Sequence, residues 1–169
     1  PMIQTPSGPR AAVFDLDGTL IDSAPDLHHA ANTVLRHENL PEISFEQARS
    51  FIGKGAPVLI SRVMQAVGLP EDPAEHARLL ALFMREYDKP PALTRLYPGV
   101  MDALARLRAM GLPMGLCTNK PTATTPPVLE ALGLSQYFDV VSCGDAVPHK
   151  KPDGRHILLC AEQLGAAPE

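Results

Sequence analysis

VFDLDGTLIDS, residues 13–23, ends a strongly apolar run with three acidic residues, Asp15, Asp17 and Asp22. The AAVF that leads into Asp15 reads as a buried strand, and carboxylates crowded at its end repel one another. Burial raises that cost unless a cation or a proton intervenes. The arrangement therefore demands a compensating charge from elsewhere in the chain.

Two further segments share the short, apolar, non-alternating character of residues 11–15. They are PMGLCT, 113–118, and DVVSC, 139–143. Such runs are expected of parallel strands covered by helices on both faces. Helical patterns separate and follow them. Val100, Leu104, Leu107 and Met110 precede Gly111; Val128, Leu129 and Leu132 precede Gly133; Ile157, Ala161 and Leu164 precede Gly165. Each glycine stands where a C-terminal cap belongs. Pro126-Pro127 puts the start of the middle helix there rather than at Pro121. This βαβαβα order predicts an α/β fold built on a doubly wound parallel sheet.

Residues 23–95 interrupt that order with helices alone, about four of them. Ser23 with Asp26 and Ser44 with Gln47 both read as capping boxes. Asp72, Pro73 and Glu75 read as an N-cap, an N1 proline and an acidic first turn. Apolar positions at helical spacing follow, Leu27, Ala30, Val34 and Leu35 after Ser23 and Leu79, Leu80, Phe83 and Tyr87 after Asp72. Val58, Val63, Met64 and Val67 fall in a helix between them, closed by Gly68. KPPALTRLYPG then reads as a linker back to the sheet. The expected division is a leader over 1–10, an α/β core over 11–22 and 96–169, and a helical insertion over 23–95.

Composition narrows the class. With 45% hydrophobic residues, the 169-residue chain can bury an ordinary core. A formal charge of −4 argues against a nucleic-acid partner, which would require a basic face. No apolar run approaches the roughly 20 residues of a membrane span. Cys117, Cys143 and Cys160 are odd in number and set in apolar surroundings, so reduced core cysteines of a cytoplasmic protein are expected.

Ligands of open α/β sheets bind beyond the carboxyl ends of the strands. Asp15 and Asp17 lie there on the first strand, Thr118 and Asn119 on the second, and Lys150 and Lys151 in the loop after the third. Two carboxylates, a hydroxyl and a lysine on one sheet edge suit phosphoryl transfer: a nucleophile, an acid/base, a donor to phosphoryl oxygens and a balancing cation. A magnesium ion held by oxygen ligands would let the carboxylates stay ionised together. Taken singly, these residues are a strand-end turn, a strand-to-helix turn and a solvated lysine. Their order and shared edge favour the chemical reading.

DLDGTLIDS, CTNK and KKPD, in this order and with a helical insertion after the first, resemble the haloacid dehalogenase-like superfamily in its phosphatase branch. Within it, YPGVMDALARLRAMGLPMGLCTNKP resembles the phosphoglycolate phosphatases. The resemblance implies Asp15 as nucleophile, and Asp17 as the acid that protonates the leaving alkoxide and then the base that activates water. It implies Mg²⁺ on the Asp15 carboxylate and the Asp17 carbonyl. Thr118 and the Asn119 backbone would contact the phosphoryl group, and Gly18 and Thr19 would help bind the substrate. Lys151, picked out over Lys150 by the following Pro152-Asp153, would neutralise charge. Lys54, in the glycine-flanked Gly53-Lys54-Gly55 turn, is a candidate for a substrate carboxylate. The helical insertion would cap the site. The substrate implied is a small phosphorylated metabolite, 2-phosphoglycolate foremost.

Neighbouring branches separate on single residues. Dehalogenases and P-type ATPases of the superfamily lack the second aspartate, which this chain has as Asp17. Sugar phosphomutases keep both aspartates but usually depart from the Gly18-Thr19 pair, and they are the nearest rival. An inactive module used for binding or assembly is the rival of another class. The resemblance also implies a fourth, acidic Gly-Asp motif after a further strand, and Pro152 to Glu169 leaves room for one helix. A C-terminally incomplete core is therefore expected, with the first strand at an open edge that invites self-association and with weakened Mg²⁺ binding.

Overall fold

The computed structural model describes residues 10–166. Apart from Arg10, the leader expected over 1–10 lies outside them. In chain order the first half holds β1 (Ala12–Phe14), β2 (Ile21–Asp22), α1 (Ala24–His37), α2 (Phe45–Ser50), α3 (Ala56–Ala66) and α4 (Pro73–Tyr87). The second half holds β3 (Arg95–Leu96), α5 (Val100–Ala109), β4 (Met114–Thr118), α6 (Thr125–Ala131), β5 (Val140–Cys143) and α7 (Gly154–Gln163).

The three apolar runs form one parallel sheet in the order β1-β4-β5. Phe14 pairs with Leu116 and Thr118 with Cys143, so the carboxyl ends of all three strands lie at one edge. Within the described residues β1 is an outer strand. Leu16, Leu104, Met114, Leu116 and Leu134 make the buried centre between the sheet and its helices. On the other face α7 packs close to β4, and Gly115 permits it: a β-carbon there would fall 2.8 Å from Cys160 Sγ and 2.9 Å from Leu164 Cδ1.

The segment from α1 to α4 gathers its own cluster around Phe83, Leu35, Leu79 and Met64. Two capping predictions hold. Ser44 and Gln47 form a reciprocal capping box, and the Asp72 carboxylate accepts from the Ala74 and Glu75 amides. The third does not. Ser23 stands at the N-cap of α1 without capping it. Its hydroxyl is drawn to Asp17 instead, and Asp26 accepts from the Ala92, Leu93 and Thr94 amides and the Thr94 hydroxyl. Charged partners brought by the fold outcompete the local box.

Two other expectations are corrected. The return linker contains β3, which pairs antiparallel with β2 through Ile21–Leu96 and Asp22–Arg95. Two-residue strands carry too little pattern to be read from sequence. In α7, Ile157 is 45% exposed and the residues turned inward are His156 and Cys160, both fully buried. The apolar repeat of Ile157 misled because a buried histidine marks the true inward face. The start of α6 at Thr125, just ahead of Pro126-Pro127, agrees with the proline reading.

Candidate active site

Asp15 follows the last residue of β1, and the chain turns so that Asp17 faces the same cleft. Lys151, carried in the loop between β5 and α7, sets its ammonium 2.7 Å from Asp15 Oδ1. The Leu16 amide donates to that same oxygen at 2.8 Å. Both contacts fall on Oδ1, and Oδ2 makes no hydrogen bond or ion pair among the described residues. The compensating charge that the sequence demanded is thus Lys151. Lys150 is exposed, as its solvated reading requires.

Thr118 ends β4 and is 1% exposed, with its Oγ1 accepting from the Lys120 amide. The Asn119 side chain makes bonds of its own. Its Nδ2 donates to the Gly53 carbonyl of the α2–α3 turn at 3.1 Å and to the Lys151 carbonyl at 2.9 Å. One amide thereby ties the α2–α3 turn to the loops after β4 and β5. Gly144, after β5, lets that loop pass: a β-carbon there would sit 2.9 Å from both the Asn119 Cα and its carbonyl oxygen.

Asp15, Asp17, Thr118, Asn119, Lys120 and Tyr87 line a cleft of about 40 Å³, roofed by Leu27, Phe51, Ile52 and Leu59. Gly53 and Gly55 also line it, but Lys54 does not; that side chain is exposed. Gly18 and Thr19 stay outside it too. Gly18 takes φ 81°, and the Gly18 amide donates to the Ile21 carbonyl, so these two residues shape the turn that aims Asp17.

Three groups escaped the sequence reading. Ser23 donates to Asp17 Oδ1 at 2.6 Å. Lys120, buried to 5% exposure, places its ammonium 3.6 Å from the same oxygen and 4.1 Å from the centroid of the Tyr87 ring. It also bonds the Tyr87 hydroxyl. The CTNK motif contained Lys120, but only the packing of α4 against the core reveals its partners. Burial lowers the Lys120 pKa, against the pull of Asp17. Burial and the Asp17 charge both push the Tyr87 phenol well above its ordinary range. Beneath Lys151, burial and then the lysine charge lower the His156 imidazole, whose Nε2 lies 3.0 Å from Ser142 Oγ.

Among the described residues, no three His, Cys, Asp or Glu side chains are grouped to hold a metal. The unpartnered Oδ2 of Asp15 is nonetheless a hard anionic donor of the kind Mg²⁺ selects, and the Asp17 backbone carbonyl is of the same oxygen type. Two such donors fit a magnesium ion that takes its other ligands from water, phosphate or further protein oxygens.

The haloacid dehalogenase-like hydrolase family model matches residues 9–169. The chain belongs to that family. A phosphoglycolate phosphatase of Cereibacter sphaeroides is 46% identical over 153 residues, which cover 90% of this chain and 70% of the relative. A solved structure from Haemophilus somnus 129PT, described as a predicted phosphoglycolate phosphatase, superposes with a TM-score of 0.86 at 31% identity. It covers 93% of this chain and 72% of its own. A Thermotoga maritima protein described as a β-phosphoglucomutase gives 0.67 at 27% identity, covering 95% of this chain and 73% of its own. This haloacid dehalogenase-like hydrolase is a phosphatase of the phosphoric monoester class. No helix among its described residues is long and apolar enough to cross a membrane.

Proposed function

We propose that the protein hydrolyses a small phosphate monoester, 2-phosphoglycolate foremost, through a phosphoaspartate on Asp15. The observation that carries the reading is the Asp15–Lys151 pair opening onto a cleft shared with Asp17 and Thr118. A carboxylate oxygen of Asp15 attacks phosphorus as the bond to the leaving oxygen breaks, and Asp17 gives that leaving oxygen a proton. Water then attacks the phosphoaspartate, Asp17 takes the water proton, and the Asp15–phosphorus bond breaks to release inorganic phosphate. Thr118 and Lys151 stabilise charge on the phosphoryl oxygens. Mg²⁺ held by Asp15 and the Asp17 carbonyl would supply charge neutralisation when bound.

The helical insertion roofs the cleft and, on this reading, excludes water from it. The phosphomutase rival draws on the Thermotoga likeness, and the Gly18-Thr19 pair after the two aspartates favours the phosphatase. The proposal places the protein in the cytoplasm, in keeping with three buried free cysteines, and lets the outer edge of β1 self-associate.

Phosphate release from 2-phosphoglycolate with Mg²⁺ is the test. Release abolished by Asp15→Asn is expected. Conversion of a sugar phosphate to its isomer without free phosphate would install the mutase. Silence at saturating metal and substrate would leave a binding module.

A further inference from the structure

We infer that Lys120 is a positioning residue for Asp17, clamped in place by Tyr87, and that together they reserve Asp17 Oδ2 for proton transfer. The inference rests on the phosphatase reading and deepens it.

Asp17 has two carboxylate oxygens with different surroundings. Ser23 donates to Oδ1 at 2.6 Å, and the Lys120 ammonium lies 3.6 Å from that same Oδ1. Nothing among the described residues bonds Oδ2. A carboxyl that must first give and then take a proton loses rate when it rotates off its line, because proton transfer demands hydrogen-bond geometry. A hydroxyl and a cation on one oxygen fix the rotation and leave the other oxygen turned to the reaction.

Lys120 is an expensive way to fill space. An ammonium at 5% exposure forfeits most of its hydration. An apolar side chain of similar length would pack there at no such cost. Burial works against the ammonium, and the groups that oppose it are Asp17 from the β1–β2 loop and, at longer range, Asp26 of α1 and Asp88 at the end of α4, with Tyr87 of α4 against it. Tyr87 supplies both the ring face and a hydroxyl. Lys120 cannot swing toward substrate without leaving that ring.

The pair also divides two spaces. Tyr87 and Lys120 line the cleft of the carboxylates and, on their other side, a cavity of about 170 Å³ bounded by Ser23, Asp26 and Thr94. Because α4 belongs to the helical insertion and Lys120 to the core, the aim of Asp17 depends on a contact between the two.

The test compares two esters in the full-length protein with Mg²⁺. An alkyl phosphate such as 2-phosphoglycolate needs its leaving oxygen protonated, whereas p-nitrophenyl phosphate leaves as a stable phenolate. Lys120→Met should lower kcat on the alkyl ester by about 10- to 100-fold with KM within about twofold. The p-nitrophenolate burst should keep its amplitude and rate. Tyr87→Leu, which leaves the lysine but removes its clamp, should give the same split. A p-nitrophenolate burst slowed as much as kcat on the alkyl ester, a raised KM with kcat intact, or no change would each overturn the inference; the second would make Lys120 a substrate-binding residue instead. Hydrolysis by the unaltered protein that survives Asp15→Asn would overturn the phosphoaspartate reading itself, and is read before any Lys120 variant is compared.

Discussion

At the scale of single residues, the site is a matter of which oxygen each cation holds. Lys151 holds Asp15 by Oδ1, and Lys120 with Ser23 holds Asp17 by Oδ1, so one oxygen of each carboxylate is left for chemistry. Gly144 is the steric hinge of this arrangement. Gly144→Ala should cost about 1–3 kcal/mol in denaturant unfolding, because its β-carbon meets backbone atoms of Asn119 that cannot rotate away. Activity should fall further than stability, since the displaced Asn119 joins the Gly53 and Lys151 loops. An unfolding midpoint equal to that of the unaltered protein would show that the loop yields freely. Asp15, Asp17, Thr118 and Lys151 were legible because each ends a strand or sits in a motif at fixed spacing from one. Ser23, Lys120 and Tyr87 were not, since their roles arise from contacts between segments far apart in the chain. Lys54 and the Gly18-Thr19 pair lie in turns beside the cleft and do not line it. Proximity in sequence to cleft residues does not turn a side chain into the cleft.

At the scale of elements, a charge holds the start of α1 to the segment that leads into β3. Asp26, in the first turn of α1, accepts from the amides of residues 92–94 and from the Thr94 hydroxyl, binding the outgoing chain to the returning one beside the β2–β3 ribbon. Burial would raise its pKa, but the Thr94 hydroxyl and the three amides outweigh that and lower it from 3.8. A carboxyl lowered on folding contributes stability above its unfolded pKa and loses it as pH falls through the folded value. Asp26→Asn should therefore destabilise by about 1–3 kcal/mol near neutral pH, and the gap should close below about pH 3.8. Chemical unfolding at several pH values measures it; a gap unchanged at acid pH would place the contribution outside the carboxylate. The sequence assigned Asp26 to a capping box with Ser23. Local pattern could not foresee that four donors from residues 92–94 would claim the carboxylate.

At the scale of the whole molecule, two apolar clusters stand apart. One is built by α1 to α4 around Phe83, and the other lies on the sheet around Leu116 and Leu104. We propose that they are the centres of two units, the helical insertion and the α/β core, joined by the ribbon, the Asp26 clasp and the Asn119 bridge. Native-state hydrogen exchange should then sort amides of α1, α3 and α4 into one opening free energy and those of β4 and β5 into another. Phe83→Ala, which empties a fully buried site, should lower the first by about 3–5 kcal/mol and leave the second nearly unmoved. A single shared opening energy would make the molecule one cooperative body.

The amino-acid sequence alone determined the parallel strands, the four inserted helices and the acidic strand end, because hydrophobic period, caps and glycine stops are local and survive in one dimension. It also demanded a cation for Asp15 and named Lys151. Only the tertiary structure decided which face of α7 turns inward, that the Asn119 amide bridges the Gly53 and Lys151 carbonyls, and that Lys120 is buried against Tyr87 beside Asp17. Those outcomes depend on which distant groups a packed side chain meets. No local pattern encodes that meeting, because burial and charge compensation are settled only when the segments close on one another.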